Sequence, residues 1–153
     1  MMFRTHMAFA LLLGFLFLDN FNGNKYAFLI IVLLTAMLPD IDHPQSKLGR
    51  KFWMISKPFN FLFGHRKLFH SLLIPVVLSF VVWWFFNDWW KPIFLGYFSH
   101  ILIDGFTLDG INFIYPIKQL RLQGFIETGK KQETVLFWFF VALDVIILFN
   151  LFT

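Results

Sequence analysis

Long apolar runs alternate with short polar connections along this chain. Few charges interrupt these runs, as is typical of transmembrane helices. Asn22 to Asn24, Pro39 and Asn87 supply the turn-forming or helix-stopping residues that separate neighbouring runs. The pattern therefore predicts an all-α integral membrane bundle of about five short transmembrane helices, over Phe3 to Leu18, Tyr26 to Leu38, Leu72 to Phe86, Pro92 to Phe106 and Thr134 to Phe152.

Several of these runs contain only about 13 to 16 apolar residues, fewer than the roughly 20 that cross a bilayer core. Full crossing then requires a locally thinned bilayer or helix ends that are buried within protein, and a partly re-entrant arrangement is the alternative. Basic and aromatic residues mix between Lys47 and Lys67, which predicts an amphipathic stretch lying in the headgroup region. Neither a repeat nor a low-complexity linker divides the chain, so residues 1–153 are expected to form a single domain.

Composition supports the membrane class and narrows the chemistry. Hydrophobic residues make up 58% of the chain, and a soluble domain of this size could not bury 24 Phe and six Trp. The lipid bilayer is therefore the expected partner. No cysteine is present, so only histidines and carboxylates remain as strong metal ligands. Nucleic-acid binding is not expected, because the basic residues follow the ends of the apolar runs.

The basic residues also predict the orientation. Eleven Lys and Arg lie on one side of the five predicted spans and two, Lys25 and Lys91, lie on the other. The positive-inside rule then places the N-terminus in the cytoplasm and the C-terminus on the far side of the membrane. The same alternation brings all five histidines and several carboxylates to the cytoplasmic ends of the spans: His6, Asp40, Asp42, His43, His65, His70, His100, Asp104 and Glu133.

The pair His100 and Asp104 lies in the middle of this convergence. The two residues are four apart in a predicted helix, so both side chains leave the same face and can meet at one metal ion. Taken alone, the pair is equally consistent with a hydrogen-bonded structural role. His65 and His70 share one site only if His65 lies in the loop before the helix. The gathering of every histidine at one membrane face favours a shared metal site.

Several ordered motifs resemble the YdjM-like family of predicted inner-membrane, metal-dependent hydrolases. They are Leu38-Pro39-Asp40-Ile41-Asp42-His43-Pro44-Gln45-Ser46, Gly64-His65-Arg66 with His70-Ser71, and Gly96-Tyr97-Phe98-Ser99-His100 with Asp104 and Thr107. The resemblance covers about residues 5 to 133. It departs at Lys67-Leu68-Phe69, where the family commonly has a Gly and then a Thr before the second His. The His-x-x-x-Asp element is also similar to one in zinc phospholipase C-type phosphodiesterases, which implies a phosphoester substrate.

The resulting hypothesis is a membrane-bound, metal-dependent hydrolase that cleaves a phosphoester in a lipid or lipid-linked substrate at the cytoplasmic face. A divalent ion, zinc in the first place and manganese or iron otherwise, would activate water. One or two such ions would be held by six ligands: His6, Asp42, His65, His70, His100 and Asp104.

Four further residues are expected to assist the reaction, and each has a structural alternative. Asp40 and His43 are assigned as orienting residues or a general base, although Asp40 also suits a helix-end cap. Glu133 is likewise assigned as an orienting residue or a general base, although the helix dipole alone also favours a carboxylate at the N-terminus of a helix. Arg66 could bind a phosphate or serve only as a topology anchor. A non-catalytic metal-binding or ion-transporting protein, and a purely structural one, are the competing functions.

Overall fold

The computed structural model describes residues 1–63 and 67–152 of the chain, and these are mostly helical. Across those two ranges the α-helices are α1 Phe3–Leu16, α2 Lys25–Thr35, α3 Lys47–Lys51, α4 Trp53–Phe63, α5 Leu73–Phe86, α6 Trp90–Gly105 and α7 Lys131–Phe152. Short 3₁₀ turns occupy Leu18–Asn20, Leu38–Asp42 and Asn87–Trp89. The prediction of a helical protein is confirmed, and α1, α2, α5, α6 and α7 overlap the five predicted apolar runs.

The helix ends follow from local chemistry. Asn24 caps α2, because its side chain accepts a hydrogen bond of 3.0 Å from the Ala27 N–H. Pro39 sits just after α2, where it stops the helix and opens a 3₁₀ turn. His43 has the extended backbone expected of a residue before proline, with φ −105° and ψ 106°. Asn87 adopts a positive φ of 49°, a conformation that reverses the chain between α5 and α6.

Two apolar helical stretches of the described chain are long enough to cross a membrane, judged by length and composition. They are Leu73–Gly105 and Lys131–Leu151. The first contains the reversal at Asn87, so it consists of two helices packed against each other. α5 has 14 residues and α6 has 16, which gives lengths of about 21 and 24 Å at 1.5 Å per residue. Each is shorter than a typical hydrocarbon core of about 30 Å.

Helix α6 is packed against three other helices, α1, α2 and α5. Gly96 makes the contact with α2 very close, since a Cβ atom at this position would lie 2.1 Å from Thr35 Oγ1 and 2.2 Å from the Val32 carbonyl oxygen. α1 is in turn packed between α6, α2 and α7. This arrangement places the polar residues of α6 in the interior of the bundle, away from the exposed apolar faces of α5 and α7.

The connection after α6 folds back onto that helix as a small β-hairpin, which the hydropathy pattern does not reveal. Strand β1, Ile111–Asn112, pairs antiparallel with β2, Arg121–Leu122. Ile111 is buried against Tyr97 and Ile101 of α6. The Leu72 N–H donates to the Phe113 carbonyl over 2.9 Å, which ties the hairpin to the segment that precedes α5. The hairpin therefore fixes that segment against the C-terminal end of α6.

Helices α3 and α4 occupy the predicted amphipathic stretch. Ser56 is buried, whereas Trp53, Met54 and Phe61 are exposed. The Lys57 ammonium lies 5.2 Å from the centre of the Trp53 ring. Apolar side chains exposed beside basic ones are typical of a helix at the membrane interface.

Candidate metal centre

Histidines and aspartates from four separate parts of the chain meet near the C-terminal end of α6. α1 contributes one side chain from its first turns, the 3₁₀ turn after α2 contributes two, the segment before α5 contributes one and α6 contributes a pair one turn apart. Nearly all of them are buried; only the Asp40 side chain is partly exposed, at 25%. The residues are His6, Asp40, Asp42, His70, His100 and Asp104.

Asp104 is at the middle of the cluster. Its Oδ1 lies 3.4 Å from His6 Nε2, and its Oδ2 lies 3.5 Å from His70 Nε2 and 3.6 Å from His100 Nε2. Asp40 Oδ1 approaches from the other side, 3.6 Å from His100 Nε2 and 4.0 Å from His70 Nε2. Three imidazole nitrogens of the same type therefore point at two carboxylates.

The distances define two groups of three that could each hold a metal ion. One is His6, His100 and Asp104, and the other is Asp40, His70 and His100; within each group the ligand atoms lie within 4.8 Å of one another. The His6 ring stacks on the His100 ring at 3.8 Å, and the His70 ring meets it edge-on at 5.2 Å. Both groups share His100, whose Nε2 has a single lone pair. The described residues therefore form one joint centre rather than two independent ones.

A hydrogen bond at Nδ1 orients the His100 imidazole. His100 Nδ1 lies 2.7 Å from the Ala36 carbonyl oxygen, which can only accept, so the ring proton belongs on Nδ1. Nε2 then carries a lone pair that faces Asp40 and Asp104. On His70, the Nδ1 atom lies 3.5 Å from Asp42 Oδ2, so a carboxylate stands beside that ring nitrogen as well. Metal-binding histidines are commonly held this way by a carbonyl or a carboxylate on the other ring nitrogen.

The donor set fits a divalent cation. A lone pair on His100 Nε2 and carboxylate oxygens 3.6 Å away repel one another unless a cation lies between them. His6 Nδ1 and His100 Nε2 are buried and have no hydrogen-bond partner within the described chain. The amino group of Met1 contacts Asp104 Oδ1, so the cluster already attracts one positive charge. Imidazole and carboxylate ligands together suit zinc, manganese or iron.

Burial keeps the centre ready for metal binding. His70 lies outside the membrane-spanning segments and is fully buried. Loss of hydration lowers the pKa of its imidazole below the usual value of 6.5, and this outweighs the neighbouring Asp42 and Asp104, which act in the opposite direction. The neutral form is the one that binds metal.

Neighbouring residues hold the ligands in position. The buried Tyr97 hydroxyl donates to the Phe69 carbonyl oxygen over 2.9 Å, which anchors the residue before His70 to α6. Thr107 Oγ1 donates to the Asp104 carbonyl oxygen over 2.7 Å and caps the end of that helix. Ser46 Oγ donates over 2.7 Å to the backbone carbonyl of Asp40.

Comparison with known proteins assigns the chain to a family. A profile of the YdjM inner membrane proteins matches residues 1–152. The chain belongs to the YdjM family. The resemblance seen in the motifs is thereby confirmed, together with the association with the inner membrane.

Two relatives show the extent of the similarity. The uncharacterized protein YvsG of Bacillus subtilis is 38% identical over 103 residues, which cover 64% of this chain and 63% of YvsG. The inner membrane protein YdjM of Escherichia coli is 42% identical over 104 residues, which cover 63% of this chain and 53% of that protein. The match thus spans less than two thirds of either relative. No solved structure is significantly similar to the chain.

Not every residue singled out in this YdjM-family sequence lies in the cluster. His65 and Arg66 fall outside the described residues. The His43 backbone N–H donates to the Asp40 carbonyl over 3.1 Å, so this residue shapes the turn that presents Asp40. Glu133 is buried at the start of α7 and accepts hydrogen bonds from the Met2 N–H at 2.5 Å, the Thr5 hydroxyl at 2.9 Å and the Gly129 N–H at 2.6 Å. These contacts join α1 to α7.

The structure distinguishes the positions of Asp40 and Asp42, and it reveals a buried carboxylate outside the cluster, that of Asp144. Asp40, expected to orient others, faces two imidazole Nε2 atoms, whereas Asp42, expected to bind metal, faces the Nδ1 of His70. Asp144 was missed, although a carboxylate within an apolar run is itself a signal. It is buried in α7 beside a cavity between α1 and α7, and its Oδ1 has no partner in the described part of the chain.

Proposed function

We propose that this YdjM-family protein is a membrane-embedded, metal-dependent hydrolase that cleaves a phosphoester in a lipid or lipid-linked substrate. The observation that supports the proposal is the convergence of three histidine Nε2 atoms on Asp40 and Asp104 in a buried site, with the His100 ring oriented by a hydrogen bond at its Nδ1. Ion pairing between histidines and aspartates does not explain this arrangement, because the Nε2 lone pair of His100 and the carboxylate oxygens that it faces are all hydrogen-bond acceptors. An imidazole lone pair that faces carboxylate oxygens in a buried site suits a bound cation.

The ligands in this proposal are His6, His70, His100, Asp104 and Asp40, with His65 retained as a sixth candidate from the sequence. Asp42 orients His70. Zinc is the first choice of metal because three histidines with a carboxylate are typical zinc ligands, and manganese or iron remains compatible. A bound divalent ion would polarise the phosphoester and make water acidic enough to attack near neutral pH.

The residues of the chain then have separate tasks. Asp40 is the one partly exposed carboxylate of the described cluster, so it is placed to accept the proton of the attacking water. The water oxygen would bond to phosphorus, the ester P–O bond would break and the leaving alcohol would take the proton that Asp40 had accepted from the water. Arg66 would bind a phosphate oxygen. His43 and Glu133 support the turn and the α1 to α7 contact, as their backbone and carboxylate hydrogen bonds suggest.

The proposal includes the membrane arrangement. The whole chain acts as one domain in which α1, α2, α5, α6 and α7 cross or enter the bilayer, with the N-terminus and the metal centre on the cytoplasmic side. Eleven of the 13 basic residues support that orientation. A lipid substrate is favoured because phosphoesters at that face belong to membrane lipids, and the partly exposed Asp40 offers access from the rim of the bundle.

The first experiment measures metal in the detergent-purified protein by elemental mass spectrometry. His100→Ala and Asp104→Ala are compared with the wild-type protein and with Asp19→Ala, which removes an exposed carboxylate far from the cluster. Near-stoichiometric metal that is lost in the first two variants and kept in the third supports the centre.

A screen of phosphoester lipids then tests hydrolysis. Wild-type activity in folded His100→Ala or Asp104→Ala protein would contradict the proposal. Failure to bind zinc, manganese or iron after reconstitution would do the same. Metal-dependent flux across liposomes without hydrolysis would instead establish the ion-transporting alternative.

A further inference from the structure

A polar cavity of about 480 Å³ lies between the β-hairpin and the segment that precedes α5. Its polar lining sets it apart from the cavity between α5 and α6, where Ser79 is the one polar residue among the described lining residues. Lys67, from the segment before α5, and Arg121, from β2, both line the cavity. Asn112 and Gln119 add amide groups. None of these residues belongs to the metal cluster described above.

Two cations in this cavity lack a carboxylate partner. In the parts of the chain that are described, neither Lys67 nor Arg121 forms an ion pair, and Lys67 is exposed. Arg121 donates one N–H to the carbonyl oxygen of Asp109 over 2.9 Å, which fixes the guanidinium and leaves its other donors available. Among the described residues of the lining, Asp109 carries the single carboxylate and two side chains carry a positive charge.

The cavity and the metal centre are built on the same elements. Lys67 precedes His70 by three residues in one short segment. The hairpin that carries Arg121 is tied to that segment by the Leu72 to Phe113 hydrogen bond and packs on α6 through Ile111. A substrate held by both sites would therefore place one group at the metal centre and a second, anionic group in this cavity.

We infer that the cavity binds the phosphate of an anionic lipid headgroup. The inference deepens the proposed function and rests on it for the reaction, because it adds that the lipid substrate carries a phosphate in its headgroup besides the phosphoester that is cleaved. Guanidinium, ammonium and side-chain amide donors together match the oxygens of a phosphate. A zwitterionic headgroup would bring its own cation against Lys67 and Arg121, and this selects against it.

Binding to the cavity is measured separately from binding to the metal centre. Detergent-purified protein is first stripped with a chelator, so that phosphate has no metal to bind, and is then titrated calorimetrically with inorganic phosphate. Lys67→Gln and Arg121→Gln are each expected to weaken binding about tenfold or more, since each removes a charge-assisted contact. Lys118→Gln removes an exposed cation of the same connection that does not line the cavity, and it should leave the affinity unchanged.

A second arm identifies the source of the phosphate. Short-chain phosphatidic acid is expected to bind more tightly than inorganic phosphate, and short-chain phosphatidylcholine is expected not to bind. Binding of inorganic phosphate alone would assign the cavity to a soluble phosphate and overturn the lipid assignment.

Equal affinity in the wild-type, Lys67→Gln and Arg121→Gln proteins would overturn the inference altogether. The metal content of the unstripped protein is recorded in parallel. Phosphatidic acid binding in a protein that never binds metal would refute the hydrolase while the headgroup site stands.

Discussion

Replacement of Gly96 by alanine tests how the α2 to α6 contact controls the metal centre. The added Cβ would lie 2.2 Å from the Val32 carbonyl oxygen, whereas ordinary contact begins at 3.4 Å, so the helices must separate by about 1.2 Å at this point. Gly96 and His100 are one turn apart on the same face of α6. The same displacement would lengthen the 2.7 Å bond from His100 Nδ1 to the Ala36 carbonyl beyond hydrogen-bonding distance.

Two effects are expected in Gly96→Ala. Crowding should reduce the free energy of unfolding by about 1 to 3 kcal/mol. Loss of the orienting bond should weaken metal binding about 10- to 100-fold, as for other groups that orient a metal-binding histidine. Metal affinity is measured by competition with a chromogenic chelator, and stability is measured by thermal unfolding in detergent.

Gly105→Ala provides the matched control in the same helix. A Cβ at this position would meet its nearest atoms at 3.8 Å, which is an ordinary contact. The variant should keep both its stability and its metal affinity. If Gly96→Ala folds and binds metal as tightly as the wild-type protein, the close approach of α2 and α6 does not set the orientation of His100 and the reasoning is refuted.

Three further changes test separate parts of the structure. Tyr97→Phe removes the hydrogen bond to the Phe69 carbonyl, so we expect a loss of about 1 kcal/mol in stability and a several-fold weaker metal affinity; an unchanged affinity would show that His70 is positioned without this bond. Glu133→Gln replaces a carboxylate that accepts three hydrogen bonds, so thermal unfolding should show a loss of about 1 to 3 kcal/mol with metal stoichiometry retained. Loss of metal would instead place Glu133 within the centre. Acidification should release the metal as protons compete for the imidazoles, and because burial lowers the pKa of His70, half-release should occur below pH 6.5; half-release above that value in a metal titration would contradict the burial argument.

Helix positions and the pairing of His100 with Asp104 were accessible from the sequence because both depend on local rules. Runs of apolar residues mark the helices, and a spacing of four brings two side chains to one face. Pro44 similarly predicts the extended backbone of His43, as observed, whereas α2 ends at Thr35, three residues before the end that Pro39 predicted.

Other features depend on contacts between distant residues, and the sequence could not reveal them. Asp40 and Asp42 are two residues apart in one turn, so only the tertiary structure decides which one faces Nε2 and which faces Nδ1. The β-hairpin has strands of only two residues, too short for an alternating pattern. Glu133 is saturated by donors that lie up to 131 residues away in the sequence.

The wide spread of the candidate ligands along the chain has a consequence for biogenesis. The cluster needs His6 from α1 and Asp104 from α6, so 98 residues separate its first and last members. The earlier helices emerge from the ribosome and enter the membrane well before α6 is complete. During synthesis, His6 and the two aspartates of the 3₁₀ turn would therefore be isolated from the other candidate ligands and would have low affinity for a metal ion. On the proposed function, metal loading would be a late checkpoint that reports on the assembly of the whole bundle, and a nascent chain truncated before His100 should be degraded without ever having held an ion.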